Sequence, residues 1–342
     1  MLAVSERDLT KLLHNLNHHE THLLLQHLST ALHAFSAQHR GTTTENTNII
    51  NQPQRTSIIN EKWESTTLFM PVSDYQSTGF KVVTVPKVTK ATNAIRGVIN
   101  ILSPEGRLEG VMSAAEITAF RTALASMILF SRFYDTKEKK KKILIFGSGK
   151  QAEWHARLAF QRRLEESISS KLVPDLRGRY PHLDIETYSR EEQTQDVYQS
   201  RLRADLARSD AIFCCTPSTE PLFTYNDLTA SSNKRRFISL IGSYKPHMQE
   251  IDSRTLLSGV KGRIYVDSVE ACMEEAGELI MAKVDEKQLI ELGEVDPTLP
   301  LEEKEGNVIF KCVGLGIMDL VIARNLLKMA SEQGLGTVVD GF

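Results

Sequence analysis

The chain has 342 residues, 41% hydrophobic and 25% charged, enough for one large or two modest domains with cores of their own. Its formal net charge of −2 and pI near 6.6 give no global attraction to nucleic acid or an anionic membrane, and small molecules become the expected partners. There is no uninterrupted apolar run of about 18 residues, and MLAVSERDLTKLL carries acidic residues where a signal peptide needs an apolar core, so a cytoplasmic location is expected.

Seven of the ten histidines fall in the first 40 residues. His14, His18 and His22, four apart, would stack along one helix face. With leucines at helical spacing around them and no H-E-x-x-H, they read as a polar face, and no metal site is expected. Residues 41–54 form a polar loop. TTLFMPVSD, FKVVTVPKV and RGVINILSPEGRLEGVM are β-branched runs punctuated by Pro and Gly, which predicts strands, the last two joined by a Pro-Glu-Gly turn. Ser113 and Glu116 have capping-box spacing ahead of apolar positions three and four apart, predicting a long helix over about 114–134. KEKKKK at 137–142 is the solvated approach to an apolar strand.

From 143 to about 312 apolar strands (ILIFGSG, LDIET, AIFCCTP, FISLIGS, RIYVDS) alternate with helical stretches. That alternation predicts an α/β fold with a Rossmann-type, doubly wound parallel sheet. Cys214 and Cys215 read as small buried hydrophobes in a strand, and there is no C-x-x-C. VGLGIMDLVIARNLLKMASEQ closes the chain as a helix expected to pack back on the first domain.

Gly147-Ser148-Gly149-Lys150-Gln151-Ala152 satisfies G-x-G-x-x-A between a strand and a helix. The first Gly permits the tight turn, the second lets backbone N–H groups approach a pyrophosphate, and Ala152 lets the helix pack close. The next convincing strand begins only at Leu183. If LDIETYSR is the second strand, Ser189 and Arg190 occupy the position that selects NAD or NADP and favour a 2′-phosphate; if it is the third, the selector strand is lost or much shortened.

Several stretches, in order and across most of the chain, resemble the ornithine cyclodeaminase/mu-crystallin family: QPQRT, LFMP, GFKVVTV, FRTALAS, GSGKQAEWH, CCTPSTEPLF, LIGSYKPHMQEID, VDSVEACMEEAGEL and KCVGLGIMDL. The resemblance implies an α+β substrate-binding and dimerisation domain built from residues 1–130 and 314–342, a Rossmann dinucleotide-binding domain over 131–313, and a homodimer. On the family's reading, LDIE is the third strand and the second, near 166–182, is missing or shortened. The implied chemistry is hydride exchange between NADP or NAD and the α-carbon of a small amino or imino acid.

Carried over by motif, Arg55, Lys81 and Arg121 resemble the family's substrate-facing cations, with Lys81 also the catalytic group. Arginine forks suit a carboxylate, and a lysine can hold it while polarising an imine nitrogen or a water. Val313 and Gly314 resemble a backbone segment touching the substrate. Thr122, the glycine turn (Gly147, Ser148, Gly149, Lys150, Gln151) and Thr216, Pro217 and Ser218 resemble the cofactor contacts. Where ornithine cyclodeaminases carry an acid–base Asp before the Pro of G-G-D-x-P, this chain has Tyr244 in Gly242-Ser243-Tyr244-Lys245-Pro246. Tyrosine, with an ordinary pKa of about 10, is a poor base near pH 7. The expectation is therefore an NAD(P)H-dependent reductase of small cyclic imino acids. The alternatives are an ornithine or lysine cyclodeaminase and, given the abridged second strand, a non-enzymatic dimer that holds a dinucleotide or small ligand.

Overall fold

Alternation of apolar and polar side chains, with turn residues between the runs, builds the first sheet. In the computed structural model the described residues are 1–41, 49–86, 96–133, 142–160, 165–167, 178, 185–230, 234–296, 301 and 305–341. They fall into two compact units, Met1–Arg121 with Gly314–Phe342, and Thr122–Val313.

The first unit opens with β1 (Leu2–Val4), α1 (Glu6–His14) and α2 (His18–His39), followed by β2 (Thr56–Asn60), β3 (Ser65–Ser73), β4 (Thr78–Pro86), β5 (Arg96–Leu102) and β6 (Leu108–Ser113). β2 to β6 run as an antiparallel meander; β1 lies parallel to β6, and a terminal strand, Thr337–Val338, closes the sheet beside β1. Between β5 and β6, Gly106 N–H donates to Ser103 O at 2.9 Å, the turn that Pro-Glu-Gly predicts. Along β4, Gly79, Lys81 and Val83 are buried, and a helix at the C-terminus, Gly316–Glu332, packs on β3, β4 and β5. On the opposite face Phe80 and Val98 are 39% and 40% exposed.

The expectation that His14, His18 and His22 share one helix face is corrected. α1 ends at His14, and Asn17 starts α2 with a reciprocal cap: its side chain accepts from Glu20 N–H while Glu20 accepts from Asn17 N–H. His18 and His22 alone stack, with ring centroids 6.5 Å apart. Among the described residues no group of three His, Cys, Asp or Glu is gathered to hold a metal.

α3 (Ala114–Phe133) carries the division between the units at Arg121–Thr122. It is long and apolar enough to cross a membrane, but 83% of its apolar window is buried within the protein, as a core helix requires. Its Phe130 ring packs on Phe213 at 5.5 Å and on Phe237 at 5.6 Å.

The second unit contains β7 (Lys142–Phe146), α4 (Lys150–Phe160), β8 (Glu165–Ser167), β9 (Ile185–Glu186), α5 (Gln195–Arg208), β10 (Ala211–Cys214), α6 (Tyr225–Thr229), β11 (Phe237–Leu240), α7 (Ser253–Leu256), β12 (Ile264–Val266), α8 (Val269–Glu275), α9 (Gly277–Ala282), β13 (Leu289–Glu291) and β14 (Val308–Lys311). The eight strands are all parallel, in the order β13-β12-β14-β11-β10-β7-β8-β9. AIFC, FISL and VIFK are buried at every position, as strands covered on both faces must be. Chain order reverses between β7 and β10, the switch point where an open α/β sheet binds its ligands.

Of the two readings of the second strand, missing or shortened, the structure has the shortened one: β8 pairs with β7, Ile143 opposite Glu166, and is three residues long. Ile185–Glu186 is therefore the third strand, so Ser189 and Arg190 do not follow the second. The segment just beyond β8, where a ribose selector stands, lies outside the described residues, as do 137–141 of the basic run.

Candidate active site

In the first unit β4 and α3 each send a cation into the core. Lys81 sits between Met70 and Ile99 in the sheet register and is 3% exposed; Arg121 is 3% exposed. Both meet Asp319, from the first turns of the C-terminal helix: Lys81 Nζ donates to Oδ2 at 2.5 Å and Arg121 Nε to Oδ1 at 3.0 Å. Burial alone would raise the Asp319 carboxyl, but the Arg121 and Lys81 charges outweigh it and hold it below the usual range. Burial pushes the Lys81 ammonium down to about 8; Asp319 opposes this, while Arg121 and the half-buried Arg55 add to it by like-charge repulsion. Lys81 and Arg121 thus share one buried carboxylate, with the charge of Arg55 felt at Lys81.

The remainder of the Arg121 guanidinium lies against Met318 Sδ and the backbone of Gly314. Gly314 has φ +96°, and a Cβ there would sit 2.6 Å from Arg121 Nη2, so only glycine leaves the fork in place. Gln52, three residues before Arg55, accepts the Ile317 N–H at 2.8 Å, satisfying one free donor at the start of the helix that carries Asp319.

In the second unit the glycine turn joins β7 to α4. Gly147 has φ +120° and a Cβ there would meet Cys215 O at 2.7 Å, whereas a Cβ on Gly149 would meet nothing within 4 Å. The first glycine is required by the chain, and the second leaves open space before a helix N-terminus. Gly147, Ser148, Thr216 and Ser218 line one cleft of about 590 Å³ at the carboxyl end of the sheet. Space at a positive helix end, and polar groups at the switch point, fit a dinucleotide: the turn and Lys150 would hold the pyrophosphate, and Thr216 to Ser218 the ribose beyond it. Ser148, Gly149 and Lys150 are exposed; Gln151 is half-buried, with Oε1 unpartnered among the described residues. Thr122, on α3, is buried, and Pro217 is exposed.

Behind this cleft lies a charge cluster that sequence reasoning missed. Glu250, fully buried, accepts from Thr216 N–H (2.7 Å) and Oγ1 (3.0 Å) on one oxygen and from Gly242 N–H (2.8 Å) on the other. It thereby ties the turn after β10 to the chain leaving β11. Glu278 accepts from Glu250 N–H at 2.9 Å and from Ser243 Oγ, and Lys311 Nζ donates to Ser243 while standing 3.3 Å from Glu278 Oε2. Burial pushes the Glu250 carboxyl up to about 7, with Lys311 and the N–H donors pulling the other way. Val313 N–H donates to the buried Asp267 at 3.2 Å. His155, on α4, is held neutral: its Nδ1 meets Gln151 O at 2.7 Å, its Nε2 meets Ser126 Oγ at 2.9 Å, and burial pushes its pKa down to about 4.

The structure gathers Lys81, Arg121 and Gly314 around Asp319, with the charge of Arg55 felt at Lys81, and gathers Gly147, Ser148, Thr216 and Ser218 around one cleft. Asp319, Glu250, Glu278 and Lys311 are the charged residues that sequence reasoning passed over. Asp319, Glu278 and Lys311 each stand within an apolar run (GIMDLVIA, AGELIM, VIFKCV), the one signal that marked them for burial with a partner, whereas Glu250, in MQEID, carries no such signal.

The sequence model of the ornithine cyclodeaminase/mu-crystallin family matches residues 10–334. The chain is 32% identical over 307 residues to the uncharacterized protein YGL159W of Saccharomyces cerevisiae, covering 78% of this chain and 81% of that one. It is 26% identical over 361 residues to a Delta(1)-pyrroline-2-carboxylate reductase of Bacillus cereus, covering 99% and 100%. Its fold is similar to that of the Thermococcus litoralis Delta(1)-pyrroline-2-carboxylate reductase in complex with NADH and L-proline, with a TM-score of 0.78 at 23% identity over 99% of this chain and 100% of that one. With nearly its whole length matched, the protein belongs to the ornithine cyclodeaminase/mu-crystallin family.

Proposed function

We propose that the protein is an NAD(P)H-dependent reductase of small cyclic imino acids, forming proline- or pipecolate-type amino acids, and that the first unit binds the substrate and the second the dinucleotide. The observation that carries this reading is the convergence of two buried cations, Lys81 and Arg121, on Asp319, with the charge of Arg55 felt at Lys81. A substrate carboxylate suits this cluster: Arg121 offers guanidinium donors to a planar anion, and Arg55 and Lys81 add charge. With its pKa near 8, Lys81 is protonated at neutral pH yet gives up its proton more readily than an ordinary lysine, which suits a group that hydrogen-bonds an imine nitrogen or a water. The dinucleotide, when bound, supplies the hydride. Relatives named as pyrroline-2-carboxylate and ketimine reductases support this chemistry over cyclodeamination. Tyr244 stands where a cyclodeaminase would need its carboxylate.

The protein acts as a cytoplasmic homodimer on this reading. The outer face of the first sheet supports the dimer: Ile58, on the edge strand, is 61% exposed on the same face as Phe80 and Val98 in the centre of the sheet, and Trp63, in the turn that follows the edge strand, is 73% exposed. An archaeal alanine dehydrogenase of similar fold (TM-score 0.75, 19% identity) is described as a dimer.

Incubation with pyrroline-2-carboxylate or piperideine-2-carboxylate and NADPH, then NADH, is expected to consume absorbance at 340 nm. Absence of turnover with every pairing, together with ammonia release from ornithine, would replace the reductase reading with cyclodeamination.

A further inference from the structure

One cation at the carboxyl end of the parallel sheet has no role in the reading above. β9 stands outermost, beyond β8, yet the chain leaving it lines the same cleft as Gly147 and Ser148, from Glu186 through Tyr188 to Arg190. Arg190 is the only lysine or arginine among the described residues that line this cleft. It is exposed and has no carboxylate partner among the described residues.

The surroundings of Arg190 explain why it is left available. Glu186, the acid nearest in the chain on the cleft wall, is engaged by Arg201 from α5, whose Nη2 lies 2.9 Å from Glu186 Oε2. The same Arg201 guanidinium is 4.1 Å above the Tyr188 ring, and Tyr188 meets Tyr198 edge-on at 5.8 Å. One arginine is thus fixed to an acid and an aromatic wall, while the other is held only by the chain at the cleft. The Glu186 charge, which would repel a phosphate, is thus offset; the other acid lining the cleft is Glu220, on the segment that follows β10. What remains is a free guanidinium fork with five N–H donors, matched to a phosphate of high charge.

We infer that Arg190 binds the 2′-phosphate of NADP(H), making the third strand's exit, rather than the second's alone, a determinant of cofactor choice. The inference rests on the dinucleotide reading of the cleft. The phosphate sits on the adenosine ribose, away from the pyrophosphate that the glycine turn holds, so its recognition falls to side chains further along the cleft wall.

Binding is measured on the unmodified full-length protein by titrating NADPH and NADH against the fluorescence of the reduced nicotinamide, and by displacing each with 2′,5′-ADP and with 5′-ADP. NADPH and 2′,5′-ADP are expected to bind more tightly than their counterparts lacking the phosphate. Arg190→Ala should weaken NADPH about 10-fold or more while leaving NADH within about 2-fold, since a charge-assisted pair is lost from one ligand only. Arg190→Glu should reverse the order of the two dinucleotides. Equal weakening of both by Arg190→Ala would overturn the inference, because the arginine would then contact a part they share; so would an unchanged NADPH affinity. Failure of the unmodified protein to bind either dinucleotide would instead overturn the cofactor reading beneath it.

Discussion

The two units each bury a small ionic cluster, and the clusters are opposite in sign. Around Asp319, Lys81 and Arg121 share one carboxylate and Arg55 adds a third positive charge. In the second unit Glu250 and Glu278 share one ammonium, Lys311. The surplus is resolved differently in each. The Glu250 carboxylate is capped by backbone N–H groups and a hydroxyl, so its needs are met within the fold, and burial brings its pKa to about 7, where it can become neutral. Guanidinium groups have no such escape, because arginine does not lose its proton in proteins. An anionic excess met by backbone donors is a brace, whereas on the proposed reading the cationic cluster takes a substrate carboxylate.

The largest effect that would break this contrast is expected from Asp319→Ala, which removes the buried carboxylate that Lys81 and Arg121 share. It should cost about 3–5 kcal/mol of stability, read as a lowered urea midpoint. Next comes Arg121→Ala, expected to lower kcat/KM for the imino acid by about 2–5 kcal/mol, chiefly through KM, while dinucleotide affinity stays within about 2-fold. Glu250→Ala should act on the other side: Thr216 N–H and Gly242 N–H lose their acceptor at about 1–3 kcal/mol, seen as a lower Tm and weaker dinucleotide binding with the imino acid KM unmoved. If Glu250→Ala raised that KM instead, the separation of brace from binding site would fail. The smallest effect is a pH limb. On the proposed reading Lys81 holds substrate only as the ammonium, and its folded-state pKa lies near 8, so kcat/KM should fall about tenfold per pH unit above that value. In Lys81→Arg the limb should disappear, because the guanidinium keeps its charge.

Legibility in the sequence followed the range of the interaction. The glycine turn, α3 and the apolar strands were readable because their signals lie within a few residues of one another: Gly147 and Gly149 around a tight turn, four consecutive buried residues in AIFC and FISL. β2 was missed because all five of its residues are exposed, so no buried face imprints alternation on TSIIN. Whether the second strand was missing or only shortened stayed open because the three residues of β8 make no period, and its pairing with β7 is a contact across the chain rather than along it. The break between α1 and α2 was hidden by leucines that keep helical spacing on either side of Asn15–Asn17, whereas the cap between Asn17 and Glu20 sets the boundary. At the candidate site Arg55, Lys81 and Arg121 were found through motifs. Asp319 was not, although it stands 238 residues from Lys81 and is what brings the two nearer cations to one point.

The amino-acid order alone determined the class of fold, the position of the glycine turn, and the apolar strands of the central α/β stretch. Those properties depend on local backbone preference and on the spacing of apolar side chains. Only tertiary structure decided that Lys81 and Arg121 converge on Asp319, that Glu250 ties Thr216 to Gly242, and that Arg190, from an outer strand, lines the cleft of the glycine turn. Charge balance and desolvation act through space at a few ångströms, between groups that the chain separates by tens to hundreds of residues.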